Sequence, residues 1–123
     1  MTILALEKDL FFSVRIRDTL RRHNLEVTIV RTLSAFEEAL TQPEETRPRL
    51  VIVDTATKGV DWEVAIRVAR ANNIPVLAFG SHMDLDARAR ALEAGAGKVV
   101  ANSKFVRDML GLVLLAMNDQ PTS

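Results

Sequence analysis

Short apolar runs alternate with longer stretches of helical periodicity along the whole chain. The apolar runs are continuous and rich in Val, Ile, Leu and Ala, which is typical of strands buried on both faces of a parallel sheet. The predicted strands are 2–6, 27–30, 50–53, 76–79 and 99–101. Helices are predicted over approximately 10–23, 34–40, 62–71, 85–94 and 104–117. This alternation predicts a three-layer α/β domain, with helices on both faces of the sheet.

Local signals refine the ends of these helices. Ser34 is a candidate N-cap, and Glu37, three residues later, completes a capping box. Asp9 has the character of a helix N-terminal charge, and Gly95 is a natural left-handed cap for the fourth helix. In folds of this type, ligands and reactive groups collect where the strands end at their carboxyl edge. The candidate functional residues therefore lie in the loops that follow the strands.

Composition narrows the class of protein. The chain has 123 residues, enough for one domain, which we assign to 1–118 with a flexible tail over 119–123. Sixteen basic and sixteen acidic residues cancel, which argues against an electrostatically driven nucleic-acid binder. There is no cysteine, no visible secretion signal, and no apolar run near the 20 residues that a membrane span needs. We expect a cytoplasmic protein.

The spacing of these features resembles the receiver domain of bacterial response regulators over nearly the whole chain. The matching segments are Ile3 to Glu7, Pro48 to Asp54, Gly59 with Asp61, Ile74 to Phe79, and Glu93 to Ala96. The resemblance implies a flavodoxin-like doubly wound sheet of five parallel strands in the order 2-1-3-4-5. It also implies that Asp54 stands at the phosphoacceptor position, and that Glu7 and Asp54 would be the carboxylate ligands of a magnesium ion.

The chain departs from the receiver pattern at several switch positions. Lys8 replaces the second metal-binding acid, and we expect its ammonium group to pair with Asp54. Gly80 stands where threonine or serine is usual, with Ser81 one residue late. Asn102 replaces the usual lysine, and Lys104 could substitute only if the loop shifted. Val99 replaces the usual aromatic residue. These changes predict a pseudo-receiver that is not an enzyme, with weak or absent phosphorylation and no cofactor or weakly bound Mg²⁺.

The last helix carries more apolar residues than one sheet face can bury, which indicates a protein contact. We expect Phe105, Met109 and Leu112 to contribute to a homodimer through the face of helix four, strand five and helix five, or to meet a partner such as a histidine kinase. Two alternatives stay open: a competent Mg²⁺-dependent phosphoacceptor, and a flavodoxin-like module for a small ligand. The acidic loop 7–10 lacks the glycine-rich pattern that cradles phosphate, which disfavours the second alternative.

Overall fold

Strands and helices alternate along residues 2–118, the part of the chain that the computed structural model describes. The strands are β1 (Thr2–Leu6), β2 (Glu26–Val30), β3 (Leu50–Asp54), β4 (Val76–Gly80) and β5 (Lys98–Ala101). The helices are α1 (Leu10–Arg21), α2 (Leu33–Leu40), α3 (Trp62–Ala71), α4 (Leu85–Ala94) and α5 (Asn102–Asn118). A short 3-10 turn, Glu44–Thr46, precedes β3. The predicted tail over 119–123 lies outside the described residues.

The five strands form one parallel sheet in the order β2-β1-β3-β4-β5. The central strand β3 pairs with β1 on one side and with β4 on the other. The predicted fold class and strand order are therefore confirmed. Because β1 and β3 are neighbours and run in the same direction, their carboxyl ends lie side by side at one edge of the sheet.

Apolar side chains cover both faces of the sheet, as the continuous hydrophobic strands predict. On one face, strand residues such as Leu4 and Val53 pack against Phe36 of α2 and Ile66 of α3. On the opposite face, Ile52 and Phe79 pack against Ile16 of α1 and Phe105 of α5. Alternate residues of each strand point to opposite faces, so a single run of Val, Ile, Leu and Ala serves both cores.

Each of the first four helices begins with a side-chain cap. Asp9, Thr32, Asp61 and Asp84 accept hydrogen bonds from the backbone N–H three residues later, at 3.0, 3.1, 3.1 and 2.9 Å. The N-terminal role expected for Asp9 is confirmed. The expectation for Ser34 is wrong, because Thr32 caps α2 and Ser34 lies inside the first turn. Both Thr32 and Ser34 have a hydroxyl group that can cap a helix, and the helix begins after Thr32.

Residues with a positive φ lie just beyond the C-terminal ends of α1, α3 and α4. Gly95 ends α4 at φ 120°, as predicted. Helix α1 stops at Arg21, two residues earlier than expected, because the chain turns at Asn24 with φ 61°. Helix α5 begins at Asn102, directly after β5, and bends at Asp108. Within residues 2–118 no helix is both long and apolar enough to cross a bilayer.

The three interface residues expected on α5 are part of the core. Phe105, Met109 and Leu112 are at most 4% exposed and pack with β3 and β4 residues. Phe105 stacks on Phe79 with ring centroids 4.0 Å apart. The prediction that these residues form an interface is wrong, because the sheet face buries more of α5 than one narrow stripe. The exposed apolar residues of α5 are Leu114 and Leu115.

Candidate functional site

Glu7 and Asp54 meet at the carboxyl edge of the sheet. Leu6 pairs with Val53 across the β1–β3 ladder, so the residues that follow them, Glu7 and Asp54, emerge side by side. Both carboxyl groups are buried, with 1% and 4% of the residue exposed. Asp61 and Gly59, the other residues of the receiver resemblance, shape the loop that follows β3. Gly59 takes φ 75°, a left-handed conformation that favours glycine, and Asp61 caps α3.

Backbone groups hold both carboxylates in place. One oxygen of Glu7 accepts the N–H of Asp9 at 3.1 Å, and Asp54 Oδ1 accepts the N–H of Ala56 at 2.8 Å. The other oxygen of Glu7, Oε1, is buried without a hydrogen-bond partner. Two ionised carboxylates cannot satisfy each other, because both only accept. A proton on Glu7 removes that deficit, since the neutral acid donates to Asp54.

The burial of this pair favours retention of a proton. Desolvation, followed by the hydrogen bond to Asp54 and repulsion from its charge, raises the pKa of Glu7 to about 9. Desolvation also raises the pKa of Asp54, although its hydrogen bonds with Glu7 and Ala56 act in the opposite direction. Because the pKa of Glu7 is raised to about 9, the pair favours one bound proton at neutral pH.

Lys8 does not provide the cation for this pair. Its ammonium nitrogen donates to the carbonyl oxygen of Lys58 at 3.1 Å, across the loop that follows β3. None of the ion pairs between residues 2 and 118 involves Asp54. The expected Lys8–Asp54 pair is therefore wrong. The peptide carbonyl gives the ammonium group a partner at the rim while leaving it exposed to water, which avoids the cost of burying it.

On the β4 side, a glycine and a loop serine stand beside Asp54. The Ser81 hydroxyl oxygen accepts the N–H of Met83 at 3.1 Å and is used by the turn before α4. Gly80 is not among the residues with positive φ, so its backbone does not demand glycine. A Cβ atom at Gly80 would lie 2.2 Å from the hydroxyl oxygen of Thr55. Thr55 therefore occupies the space that a side chain at position 80 would need.

On the β5 side, neither Asn102 nor Lys104 forms a hydrogen bond or an ion pair with Asp54 in the described part of the chain. Asn102 is the first residue of α5, and its Oδ1 is buried without a hydrogen-bond partner. Lys104 is exposed, two residues further into the helix. Helix α5 starts immediately after β5, so no loop remains that could shift Lys104 back towards Asp54. Val99 packs in the core beneath α4.

The site opens into a shallow cavity of about 320 Å³ beside the carboxyl pair. Its lining includes three acidic residues, Glu7, Asp9 and Asp54, and two lysines, Lys8 and Lys58. Magnesium needs oxygen donors that are deprotonated, so its binding would compete with the proton that burial favours on Glu7. Lys8 also brings a positive charge to the same cavity. In the described part of the chain, no group of three or more Asp, Glu, His or Cys residues is placed to hold a metal. The residues present do not form a preorganised Mg²⁺ site.

Two hydroxyl residues of the site had no role predicted from the sequence. Thr55 donates through its hydroxyl to the carbonyl oxygen of Phe79 at 3.3 Å and fills the space above Gly80. Thr57 lines the cavity with a buried hydroxyl that has no hydrogen-bond partner. The contact of Thr55 with Gly80 could have been predicted from the sequence. Asp54 and Phe79 are partners in the parallel β3–β4 ladder, so the residues that follow them, Thr55 and Gly80, lie opposite each other.

No protein-family model matches the chain, and no curated protein matches it. Solved structures, in contrast, match nearly the whole chain. The receiver domain of NtrX from Brucella abortus superposes with a TM-score of 0.82 at 15% identity, covering 96% of this chain and 99% of that one. This chain spans 26% of a longer NtrX structure. The BeF3-activated N-terminal receiver domain of RstA from Klebsiella pneumoniae gives a TM-score of 0.81 at 21% identity, covering 97% and 100% of the two chains.

The chain has the receiver fold. A third receiver domain, from a sensor histidine kinase of Pseudomonas aeruginosa, superposes with a TM-score of 0.79 at 21% identity over 96% of this chain and 98% of that one. That protein coordinates a magnesium ion in its active-site cleft. In the receiver fold of the present chain, Asp54 lies at the carboxyl edge of the sheet, and Glu7 and Lys8 line the cavity beside it.

Proposed function

We propose that this protein is an atypical receiver that acts in signal transduction through protein–protein contacts, with weak or absent phosphorylation of Asp54 and at most weakly bound Mg²⁺. The observation that carries the proposal is the carboxyl pair itself. Asp54 is buried at the carboxyl edge beside Glu7, and burial raises the pKa of Glu7 to about 9. A cytoplasmic location and a non-enzymatic role belong to the same proposal.

The charges around Asp54 support weak phosphorylation. A phosphoryl group arriving at Asp54 brings negative charge to a buried carboxylate, and that charge needs preorganised cations or donors. The cations that line the cavity are Lys8 and Lys58. Lys8 is held on a peptide oxygen of the rim, and Lys104 is exposed on α5. The transfer site therefore lacks a fixed positive group on the β5 side.

Exposed apolar residues support a role in protein contacts. Leu10 and Phe11 begin α1 with 73% and 61% of their surface exposed, next to the cavity that Phe12 lines. Val14 follows one turn later and is also exposed. A partner, such as a histidine kinase, would cover this turn. Self-association through α4, β5 and α5 stays part of the proposal, now with Leu85, Leu92, Leu114 and Leu115 as its exposed apolar residues.

The test is the formation of an Asp54 adduct. Wild-type protein is incubated with acetyl phosphate and Mg²⁺, or with fluoroberyllate and Mg²⁺, and adducts are measured by intact mass and by ¹⁹F NMR. We expect little or no adduct, and a gain of adduct in the Lys8→Asp/Asn102→Lys variant, which restores an acid and a cation. The matched control is Lys58→Asp/Asn102→Lys, which adds the acid elsewhere in the same cavity.

A stoichiometric wild-type adduct that Asp54→Asn abolishes would contradict the proposal and favour the competent phosphoacceptor. Equal gains in both double variants would contradict the role assigned to position 8. Light scattering on the same wild-type samples measures self-association, and a strictly monomeric protein at high concentration would contradict the dimer.

A further inference from the structure

The outer side of β2 has free backbone hydrogen-bonding groups. Strand β2 is at the edge of the sheet, and its only strand neighbour within residues 2–118 is β1. The carbonyl oxygen of Val30 accepts the N–H of Glu7 at 3.1 Å, so the polar groups of Val30 face β1. Backbone groups of successive strand residues face alternate sides. Val27 and Ile29 therefore point their N–H and C=O groups away from the sheet.

A groove runs beside this free edge. It has a volume of about 510 Å³ and is lined by Arg17 and Arg21 of α1, the turn after α1, and the first half of β2. Both arginines are exposed, and neither makes an ion pair or a side-chain hydrogen bond with the described residues. The groove thus places two unused guanidinium groups beside unused backbone donors and acceptors.

The spacing of the arginines matches one kind of ligand. Residues four apart on a helix are about 6 Å apart, and alternate residues of a strand, which share one face, are about 6.6 Å apart. A strand added to β2 would present alternate side chains to α1. Carboxylates at two such positions would each reach one guanidinium group, while the backbone pairs with Val27 and Ile29.

We propose that the β2 edge binds an extended acidic segment of a partner protein, which adds a sixth strand and places alternate carboxylates on Arg17 and Arg21. Glu26 also lines the groove, but its side chain belongs to the opposite face from Val27 and Ile29, because strand side chains alternate. The proposal goes beyond the proposed function. It does not depend on Asp54 chemistry, so the adduct experiment and the test below succeed or fail separately.

The test uses two labelled peptides of identical composition. In acetyl-Thr-Glu-Val-Glu-Val-Thr-amide the glutamates share one strand face, and in acetyl-Thr-Glu-Val-Val-Glu-Thr-amide they do not. Fluorescence anisotropy should show saturable, salt-sensitive binding that favours the first peptide. Arg17→Gln/Arg21→Gln should weaken binding about tenfold, as expected for two exposed ion pairs. Arg15→Gln/Arg22→Gln, which removes the same charge from α1 and from the residue directly after it, both outside the groove, should not.

Backbone pairing has its own measurement. Hydrogen exchange by NMR should slow at the amides of Val27 and Ile29 when the first peptide binds, whereas the amide of Thr28, which faces β1, should not change. Val27→Pro removes one outward N–H at an edge position that tolerates proline, and it should weaken binding about fivefold.

Three outcomes would overturn the proposal: no saturable binding of the first peptide, equal effects of the two arginine pairs, or unchanged exchange at Val27 and Ile29. The exchange measurement on wild-type protein decides the matter even if the proline variant does not fold.

Discussion

The two halves of the carboxyl edge differ in what they bring to Asp54. The β1–β3 half places two buried carboxyl groups side by side and holds one proton between them. The β4–β5 half offers Gly80, a serine used by its own turn, and an asparagine at a helix start. The acidic half keeps a costly buried polar pair, while the opposite half is arranged mainly for packing, with Phe79 stacked on Phe105.

This difference indicates that the receiver fold of this chain does not depend on a fixed set of residues at the carboxyl edge of the sheet. Packing on both faces of the sheet depends on apolar strand residues, and those are intact in β4 and β5. Of the residues that differ from the receiver pattern, Lys8, Gly80 and Asn102 lie at or just after strand ends, whereas Val99 packs in the core beneath α4. The buried carboxyl pair, in contrast, lowers the free energy of unfolding when both groups are ionised. It is therefore a feature of the site that packing does not explain.

The largest expected effect is a fall in the free energy of unfolding as pH rises, caused by Glu7 in the acidic β1–β3 half of the edge. The pKa of Glu7 in the folded state, about 9, lies above its ordinary value of 4.5. Between these values the folded state binds a proton that the unfolded state has released, so the free energy of unfolding falls as pH rises. A single group contributes at most about 1.4 kcal/mol per pH unit, so the fall between pH 5 and pH 8 is at most about 4 kcal/mol.

Glu7→Gln should remove most of this dependence and stabilise the protein at pH 8, because the neutral amide still donates towards Asp54. Urea unfolding at several pH values measures the slope. Glu63→Gln, at an exposed ion pair with Arg67 and Arg90, is the control for a general charge effect. A wild-type slope that Glu7→Gln leaves unchanged would contradict the protonated pair.

The second largest effect is expected on the β4 side of the edge, where Gly80 lies against Thr55. Gly80→Ala should destabilise the fold by about 1 to 3 kcal/mol, because the added Cβ overlaps the Thr55 hydroxyl. Thr55→Ala alone loses the hydrogen bond to Phe79, about 1 kcal/mol. In Thr55→Ala/Gly80→Ala the overlap is gone, so the double variant should be more stable than the sum of the single effects predicts.

Gly111→Ala is the matched glycine control, since nothing lies within 4 Å of a Cβ there. That exposed helical position should gain about 0.5 to 1 kcal/mol from the substitution. Urea unfolding of the variants gives the coupling free energy, and additive effects at positions 55 and 80 would show that Thr55 is not the reason for the glycine.

The sequence predicted the fold well because the fold depends on short-range patterns. Continuous apolar runs defined all five strands to within a residue at each end, and Gly95 marked the end of α4. The parallel order also placed Glu7 and Asp54 at one edge. What failed were choices between equally suitable partners. Thr32 rather than Ser34 caps α2, and Lys8 selects a peptide oxygen rather than a carboxylate.

The error on α5 has a different cause. Its apolar residues exceed one stripe, and from the sequence alone the excess looked like an interface. Only the packed geometry reveals that Phe105, Met109 and Leu112 all reach the sheet, leaving Leu114 and Leu115 outside. How much of a helix a sheet buries depends on how closely the two approach each other, and a single sequence does not encode that distance in any local pattern.

The smallest expected effect tests whether the acidic half lacks an internal cation. Lys8 is exposed, and its ammonium group donates a hydrogen bond to the Lys58 carbonyl oxygen. Lys8→Met should therefore lower the free energy of unfolding by no more than about 1 kcal/mol. If Lys8 neutralised Asp54, its removal would raise the pKa of Asp54 further. We expect ¹³C NMR titration of the Asp54 carboxyl to give nearly the same curve in Lys8→Met, in wild type and in the control Lys58→Met. A clear upward displacement in Lys8→Met alone would restore the Lys8–Asp54 ion pair in place of the peptide contact, and the β1–β3 half of the edge would then contain its own cation.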